Sequence, residues 1–349
     1  MNISTTDAQS LYTKTLIDVY KSRPKPSNFL RNFFPTVVTP SLEVSIEVQR
    51  GFEKVAVDVV RGTEGNRNIT TRSTEKIIVP PYYREFLDMT GLQFYDRLYG
   101  ATEINDSVFA AYINDLADQV IGMQEKIERS YELQCAQVLQ TGVVTLKAAT
   151  SIDFKRKAGS LVDLGAGNYF ATGTVDPFAP FEAGCNFLRQ IGKSGDGVFN
   201  AIVGSQVLSD LLGNPLFQKR QNYFNMSLDA VTGPARDMNT GATYHGNITA
   251  GAYKVQLWAY PQFYDDASGA SQPYIDPKKV IMFPSNPRFK MAFGAVPQLL
   301  KAETAPKIGA FVFGDYIDER MKNHIFDVES AGIAVPVAID QIYTFKAVA

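Results

Sequence analysis

The chain has 349 residues, of which 45% are hydrophobic, with 34 basic and 36 acidic side chains and a formal net charge of −2. That composition supports a folded core and excludes both a disordered protein and a general nucleic-acid-binding protein, which would carry a clear basic excess. The two cysteines, Cys135 and Cys185, are too few for a disulfide framework or a zinc-binding pattern. No stretch of ~18 uncharged apolar residues is present, which excludes a membrane-spanning helix.

The N-terminal region joins an amphipathic segment to a proline-bearing one. Residues 5–22 predict a short helix, because their apolar side chains recur near one face. The following segment, RPKPSNFLRNFFPTVVTP, has prolines that interrupt regular structure, and its aromatic side chains, including Phe33 and Phe34, are unfavourable in water. We therefore expect an extended N-terminal arm that lies over another surface.

Residues 43–85 predict a long arm made of two strands. Val44, Ile46 and Val48 alternate with polar residues, and the same period of two returns near residues 55–59. The segment RGTEGNRNITTRSTEK is rich in glycine, threonine and charge and predicts a loop tip, after which KIIVPPYY returns as a strand. A two-stranded ribbon is only marginally stable by itself, so the arm must rest on a further surface.

The segment after the arm predicts one long helix. From Phe109 onwards apolar residues recur at spacings of three, four and seven; Asp106 or Ser107 can cap the start, and Gly142 ends the pattern. At ~1.5 Å per residue the helix spans ~50 Å, which is longer than a usual globular helix. The spacing is not a strict heptad, which disfavours a coiled coil. Cys135 lies near the apolar face and is expected to be a small buried residue.

The rest of the chain predicts a mixture of strands and helices. Residues 143–175 show a β-like pattern with glycine-rich turns, and residues 176–305 read as an α/β region. Its predicted elements are helices at 177–193 and 205–215 and strands at 197–205, 252–260 and 278–285, with loops at 237–251 and 265–273. The C-terminal segment predicts strands separated by turns at Gly314-Asp315 and Ala331-Gly332.

No combination of residues predicts catalysis or a metal centre. His245 and His324 lack zinc-protease spacing, and no G-x-S-x-G element supplies a serine nucleophile. GKSGDG at 192–197 and GAGNYF at 165–170 lack glycines that phosphate and dinucleotide loops require, so both predict turns. The acidic residues within 315–319 either offer oxygen ligands for calcium or form local ion pairs, and solvated loop charges are expected. The sequence thus predicts no enzyme, no metal site and no cofactor.

Basic residues cluster in two places. Arg61, Arg67, Arg72 and Lys76 lie near the predicted arm tip with acidic residues between them, a mixture that suits a protein–protein contact better than a phosphate track. The other cluster is the run at 155–157, which either faces nucleic acid or forms a solvated strand face; the latter is expected.

The order of these elements resembles the major capsid proteins of tailed bacteriophages, which have the Hong Kong 97 fold, and among them the lambda-type major head protein family. The resemblance covers nearly the whole chain and depends on the layout rather than on catalytic signatures. It is carried by the segments NFFPTVVTPSLEVSIEVQRG, STEKIIVPPYYREFLDMTG, QVIGMQEKIERSYELQCAQVLQTG, SLVDLGAG and FVFGDYIDERMKNHIFDVESAGIAVPVAIDQIYTFKA. It implies an α+β capsid fold with an extended β-loop, a long spine helix and an α/β axial domain.

The resemblance also implies a division into domains. The implied parts are an N-terminal arm at 1–43, an extended loop at 44–92, a peripheral domain with its spine helix at 93–175, an axial domain at 176–305 and a return to the peripheral sheet at 306–349.

The implied function is that of a structural subunit of an icosahedral phage head, which self-assembles into hexamers and pentamers around double-stranded DNA. Implied partners are other copies of the chain, a separate scaffolding protein, a portal and a possible decoration protein, with DNA bound non-specifically and no membrane. Assembly is expected in the host cytoplasm. Two alternatives are an encapsulin-like compartment, which NFFPTVVTP disfavours, and an α/β enzyme with an unrecognised site.

The site predicted for this chain is therefore a subunit interface. Pro80 and Pro81 stiffen the root of the arm, and the adjacent aromatic residues either anchor a neighbouring subunit or pack on the spine helix. The predicted contact residues are Arg61, Arg67, Arg72, Lys76, Tyr82, Tyr83, Arg84, Phe33 and Phe34.

Overall fold

A computed structural model describes residues 28–48, 74–89, 106–146, 151–223, 235–236, 240–296, 308–318, 320 and 323–349. The predicted N-terminal helix at 5–22 lies outside the described residues. So do the predicted arm tip, with Arg61, Arg67 and Arg72, and Glu319 of the acidic C-terminal cluster.

Four α-helices lie in the described part of the chain: α1 at Asp106–Thr141, α2 at Phe178–Gln190, α3 at Ser205–Gly213 and α4 at Pro215–Tyr223. The first three confirm the predicted helices, whereas α4 was not predicted. As expected, Gly142 ends α1: its φ of 75° is readily accessible to glycine, and its N–H donates to the carbonyl of Val138 at 2.9 Å.

The described residues also form a set of mostly short strands. They are β1 Thr36–Val38, β2 Val44–Val48, β3 Thr74–Ile78, β4 Tyr82–Met89, β5 Val143–Thr145, β6 Ser151–Asp153, β7 Leu161–Asp163, β8 Val198–Val203, β9 Ala235–Arg236, β10 Thr243–Ala250, β11 Tyr253–Ala259, β12 Phe263–Asp265, β13 Ser271–Pro273, β14 Lys279–Pro284, β15 Phe289–Phe293, β16 Val312–Asp318, β17 Asn323–Pro336 and β18 Tyr343–Lys346. The predicted strands at 197–205, 252–260 and 278–285 are confirmed as β8, β11 and β14.

A five-stranded sheet carries the long helix. Four of its strands follow the order β1-β15-β17-β16. The fifth strand, β4, pairs with β17, the long strand that also pairs with β15 and β16. Helix α1 packs on this sheet through Tyr131, which is fully buried with Val328 of β17 in one hydrophobic cluster. Because the helix covers one face of the sheet, alternate residues of β4 and β17 point toward α1 or away from it.

A seven-stranded sheet, in the order β7-β18-β14-β8-β11-β10-β9, forms the second half of the molecule. Its central strands are buried on both faces. Ile202 of β8 and Ile281 of β14 belong to the cluster that contains α1, whereas Ala201 and Val280 belong to a cluster with Phe181 of α2. The sheet therefore lies between the long helix and the shorter helices.

Sheet membership does not follow the predicted domain boundaries. Strand β15, inside the predicted axial segment 176–305, lies in the five-stranded sheet, and β18, inside the predicted return segment 306–349, lies in the seven-stranded sheet. The chain therefore passes more than once between the two halves, which ties them together.

Three loop or turn predictions are wrong. The segment 237–251 contains the eight-residue strand β10. The predicted loop at 265–273 is not among the three, because its residues 266–270 form the turn that joins the paired strands β12 and β13. Gly314 and Gly332 lie inside β16 and β17, so the turns predicted there do not exist. Gly332 instead leaves room for two rings: a Cβ atom there would lie 2.6 Å from Phe293 and 2.9 Å from Tyr131.

The predictions for the cysteines, the glycine-containing turns and the basic run at 155–157 were confirmed only in part. Cys135 is buried, as expected, and Cys185, for which no burial was predicted, is buried as well. Residues 192–197 follow the end of α2 as a turn, and Gly165 opens a turn at φ 79°. The run at 155–157 is only partly solvated, because the guanidinium of Arg156 binds protein oxygen atoms. Among the described residues, no helix has both the length and the apolar character needed to cross a membrane.

Candidate assembly surface

The two ends of the predicted arm pair as expected. Strands β2 and β3 are antiparallel, with Val44 opposite Ile78 and Ile46 opposite Lys76. Val44 and Ile78 are each 5% exposed and pack on the chain's own core, whereas Ile77 is 61% exposed. At its root the arm is thus covered on one face by its own chain and open on the other.

The two prolines lie between the arm and the five-stranded sheet. Pro80 is buried and Pro81 is partly buried, and β4 begins at the next residue. Tyr82 pairs with Ala331, and the register continues along β4 to Met89 opposite His324. The segment after the prolines is therefore part of a sheet, which holds the root of the arm in a fixed position.

The inward side of β4 packs on helix α1. The amide Nε2 of Gln134 donates to the hydroxyl of Tyr83 at 2.9 Å, and the Tyr83 ring meets Tyr131 edge-on at 5.4 Å. Lys126 of α1 pairs with Glu85 at 2.7 Å. Burial raises the pKa of Tyr83. Of the two predicted roles for this tyrosine, the structure shows packing on the long helix.

The outward side of β4 presents two aromatic rings with an arginine between them. Tyr82 is 47% exposed and Phe86 is 63% exposed, with Arg84 between them on the same face of the strand. Large exposed rings grouped on one face are typical of contact sites with other proteins, since burying them against a partner is favourable. We call the residues Tyr82, Arg84 and Phe86 the aromatic row.

Arg84 is held by two carboxylates of the neighbouring strand. Its Nη2 lies 2.8 Å from Asp327 Oδ2, and its Nε lies 3.0 Å from Glu329 Oε1. Both carboxylates are almost fully buried, at 2% and 3% exposure. Burial and the adjacent charge of Asp327 raise the pKa of Glu329, and burial raises the pKa of Tyr82 to about 12. Two carboxylates therefore face one guanidinium beneath the aromatic row.

Phe33 and Phe34 differ from their expected interface role. The Phe34 ring is 2% exposed and stacks on Phe289 at 4.9 Å, and Phe33 meets Phe283 edge-on at 4.8 Å. Their rings pack on the core of the same chain, because the short 3-10 helix Leu30–Phe33 lies directly against it. Phe34 in particular has almost no surface left for a neighbouring subunit.

The two histidines that were considered as catalytic or metal-binding residues lie in different strands. His245 lies in β10, where burial lowers its pKa, and His324 lies in β17 beside the ring of Phe326. Within the described ranges, no three histidine, cysteine, aspartate or glutamate side chains come together as metal ligands would. The exposed surface of β4 is therefore the candidate functional site of the described residues.

The mixed fold, with its long helix across one sheet and a second sheet built around short helices, is that of the Hong Kong 97-like capsid proteins. Consistent with this, a family model described as phage major capsid protein E matches residues 12–347, so the chain belongs to that family. The predicted fold and the predicted class, a phage major capsid protein, are thereby confirmed. The narrower lambda-type assignment stays a prediction.

Solved structures of phage-related proteins share this fold. A candidate capsid protein of an Escherichia coli CFT073 prophage is 15% identical, with a TM-score of 0.60 and full coverage of both chains. A phage-related protein from Bordetella bronchiseptica RB50 is 12% identical, with a TM-score of 0.50 and 96% coverage of each chain. At these identities the similarity concerns the fold alone. A comparison with curated protein sequences gave no match. The chain is a structural subunit of a phage shell, and it associates with other copies of itself in that shell.

Proposed function

We propose that this subunit forms hexamers and pentamers of an icosahedral phage head and that the aromatic row is part of the contact between subunits. The observation that carries the second statement is the joint exposure of Tyr82 and Phe86 on the strand that follows the arm. A copy of the chain that covers this face would remove both rings from water. Arg84, whose carboxylate partners lie in its own chain, then holds the strand in register.

The placement of the arm supports the same proposal. Contacts that repeat around a ring close when the rotation between subunits fits five or six copies, and many modest contacts together stabilise a closed lattice. The open face of the arm root, with Ile77 exposed, offers further apolar surface for a neighbour. The arm tip, with Arg61, Arg67 and Arg72, is proposed as the part that reaches that neighbour. Lys76, which lies opposite Ile46 in β3 at the arm root, is proposed as a further contact residue.

The parts of the chain receive the following proposed roles. Residues 44–92 form the extended loop, 93–175 the peripheral domain with α1 as its spine helix, and 176–305 the axial domain around the symmetry axes. The segments 1–43 and 306–349 are the N-terminal arm and the return to the peripheral sheet. The position of α1 on the five-stranded sheet and of α2 to α4 on the seven-stranded sheet supports the main division, whereas β15 and β18 each lie in the sheet of the other half.

The proposed partners follow from the shell role. They are a separate scaffolding protein, a portal, a possible decoration protein and double-stranded DNA inside the shell. The formal net charge of −2 suits weak, non-specific contact with DNA, because a strongly basic lining would retain it. Assembly in the cytoplasm of the host and the absence of catalysis belong to the same proposal.

A matched pair of substitutions tests the aromatic row. Phe86 and Phe263 are exposed to almost the same extent, at 63% and 61%, but only Phe86 lies in the row. Phe86→Ser should leave a folded, soluble subunit and reduce the yield of closed particles in electron microscopy at least about tenfold, since a central aromatic contact is typically worth ~2 kcal/mol. Phe263→Ser should not change that yield. Equal particle yields from both variants would show that the row makes no contact.

A further inference from the structure

The segment of residues 28–39, which we call the strap, crosses both halves of the molecule. At one end the Phe29 ring lies 5.5 Å from Trp258 and 5.3 Å from Tyr260, on the side of the seven-stranded sheet. At the other end Thr36–Val38 pairs with β15 as an edge of the five-stranded sheet. Between these ends the strap runs over helix α1. The strap therefore connects two sheets and the long helix.

One carboxyl group of α1 holds the centre of the strap. Glu132 Oε1 accepts the N–H of Leu30 at 2.8 Å, and its Oε2 accepts the N–H of Arg31 at 3.0 Å. These N–H groups begin the short 3-10 helix of the strap and have no partner inside that helix. The Tyr260 hydroxyl is a third hydrogen-bond partner of the carboxyl group. Glu132 thus joins the strap, α1 and the seven-stranded sheet at one point.

Burial of Glu132 disfavours a charge and outweighs the hydrogen bonds from Leu30, Arg31 and Tyr260 and the nearby Arg31 charge, which favour the carboxylate. Its side chain is 0% exposed and lies among the residues of the main hydrophobic cluster. The titratable groups that face it are Arg31 from the strap, Tyr260 and Tyr274 from the seven-stranded half, and Cys135 from α1. The Arg31 guanidinium lies 5.5 Å over the rings of Tyr131 and Phe293, and no ion pair with Glu132 is formed in the described part of the chain.

We propose that Glu132 is a proton-linked latch: its carboxyl group holds a proton while the strap is docked and releases that proton to solvent when the strap leaves. Both states are chemically reasonable at this site. A carboxylate can accept from the Tyr260 hydroxyl, and a carboxylic acid can donate to the same oxygen, because a tyrosine hydroxyl is both donor and acceptor. Only the protonated form avoids a buried charge without a paired cation, which is costly in an apolar core.

The direction of the pH effect follows from burial. Burial raises the pKa of Glu132 from the usual carboxyl range to about 7 in the docked state. Once the strap leaves, water reaches the group, which then ionises with an ordinary carboxyl pKa. Docking is therefore most favourable below the ordinary carboxyl pKa, weakens as the pH rises, and reaches its weakest value above about pH 7. Mild acid therefore strengthens docking of the strap and mild alkali weakens it.

Hydrogen exchange of the full-length chain tests the latch. After correction for intrinsic exchange, the opening constant of amides 28–34 should rise about tenfold or more between about pH 5.5 and about pH 8.5, as a pKa difference of this size requires. Glu132→Gln removes the titrating group, so the same amides should then show less than about a twofold change over that range. Glu128→Gln is the matched control, because Glu128 also contacts the strap, through Asn28 at 3.4 Å, yet is only partly buried. It should keep the wild-type pH dependence.

A second measurement covers the case in which Glu132→Gln does not dock its strap. Infrared difference spectra of the wild-type chain and Glu128→Gln should show the carbonyl band of a buried protonated carboxylic acid below about pH 6.5 that fades with rising pH. Glu132→Gln should lack that component. A flat pH profile of strap exchange in the wild type, a pH dependence that persists in Glu132→Gln, or an infrared band unchanged by that substitution would each overturn the proposal. All of these results are independent of shell formation.

Discussion

The side chain of Arg156 caps the C-terminal end of the long helix by a hydrogen bond to the carbonyl oxygen of Leu139. Its Nη1 donates to the Leu139 carbonyl oxygen at 3.0 Å, at a point where the last carbonyls of a helix have no partner within the helix. The same guanidinium donates to Thr344 Oγ1 at 2.8 Å and to both the hydroxyl and carbonyl oxygens of Ser160. One side chain thus joins α1, the segment before β7, and strand β18.

Arg156→Met should therefore destabilise the subunit by about 2–4 kcal/mol, because it removes several hydrogen bonds and leaves partly buried acceptors unpaired. The difference in unfolding free energy can be measured by urea denaturation. Lys155→Met is the control: Lys155 is exposed and pairs with Asp153 at the surface, so its loss should cost less than about 1 kcal/mol. Equal effects of the two substitutions would contradict the role given to Arg156.

Gly332 marks a place where two rings approach the backbone of β17. Gly332→Ala should destabilise the subunit by about 1–3 kcal/mol, because the added methyl group meets Phe293 and Tyr131 in a packed core. Thermal denaturation would record this as a lower melting temperature. Gly195→Ala is the matched control, since a Cβ atom there meets nothing within 4 Å. A melting temperature of Gly332→Ala equal to that of the control would show that the close packing at β17 is wrongly described.

Arg84 offsets the charge of two buried carboxylates. Arg84→Met should destabilise the subunit by about 2–3 kcal/mol, less than a fully buried pair would cost because the arginine is partly exposed. Adding Glu329→Gln should recover part of that loss, since it removes one of two adjacent like charges. Urea denaturation of the single and double variants measures both effects. A double variant less stable than Arg84→Met would contradict the electrostatic account of this cluster.

The elements that the sequence predicts best are those with a regular pattern. Helix α1 has a continuous apolar stripe and a terminal Gly142, and both ends of the prediction agree with Asp106–Thr141. The β-arm ends alternate with a period of two, which predicted both strands, and the structure adds their register, with Val44 opposite Ile78. Such local patterns largely decide secondary structure, so elements that show them can be predicted without knowledge of the tertiary contacts.

The misses come from tertiary contacts that local patterns do not contain. Gly314 and Gly332 resemble turn residues, yet Gly332 is needed for the close approach of two rings. Strand β10 contains Gly246 at φ 99° and a register shift next to it, and its pairing with β11 overrides the weak strand propensity of the glycine. The partners of Arg156 are Leu139, Ser160 and Thr344, which the fold alone brings together.

The candidate site was predictable only in part. The aromatic residues after the two prolines are conspicuous in the sequence, and the alternation of β4 decides that Tyr82 and Phe86 point outward while Tyr83 points to α1. The carboxylates that hold Arg84 lie more than two hundred residues further along the chain, at Asp327 and Glu329. A long-range pairing of this kind becomes visible only once the register of β4 and β17 is known.

Electron microscopy of the full-length chain beside an arm variant tests the central claim, that this subunit builds a closed shell through its arm. The variant replaces residues 61–72 by a short Gly-Ser linker and keeps β2 and β3 intact. The full-length chain should give closed particles, whereas the variant should remain a folded, soluble subunit without closed particles. Closed particles from the arm variant at the full-length yield, or a full-length chain that forms only a small oligomer, would contradict the account.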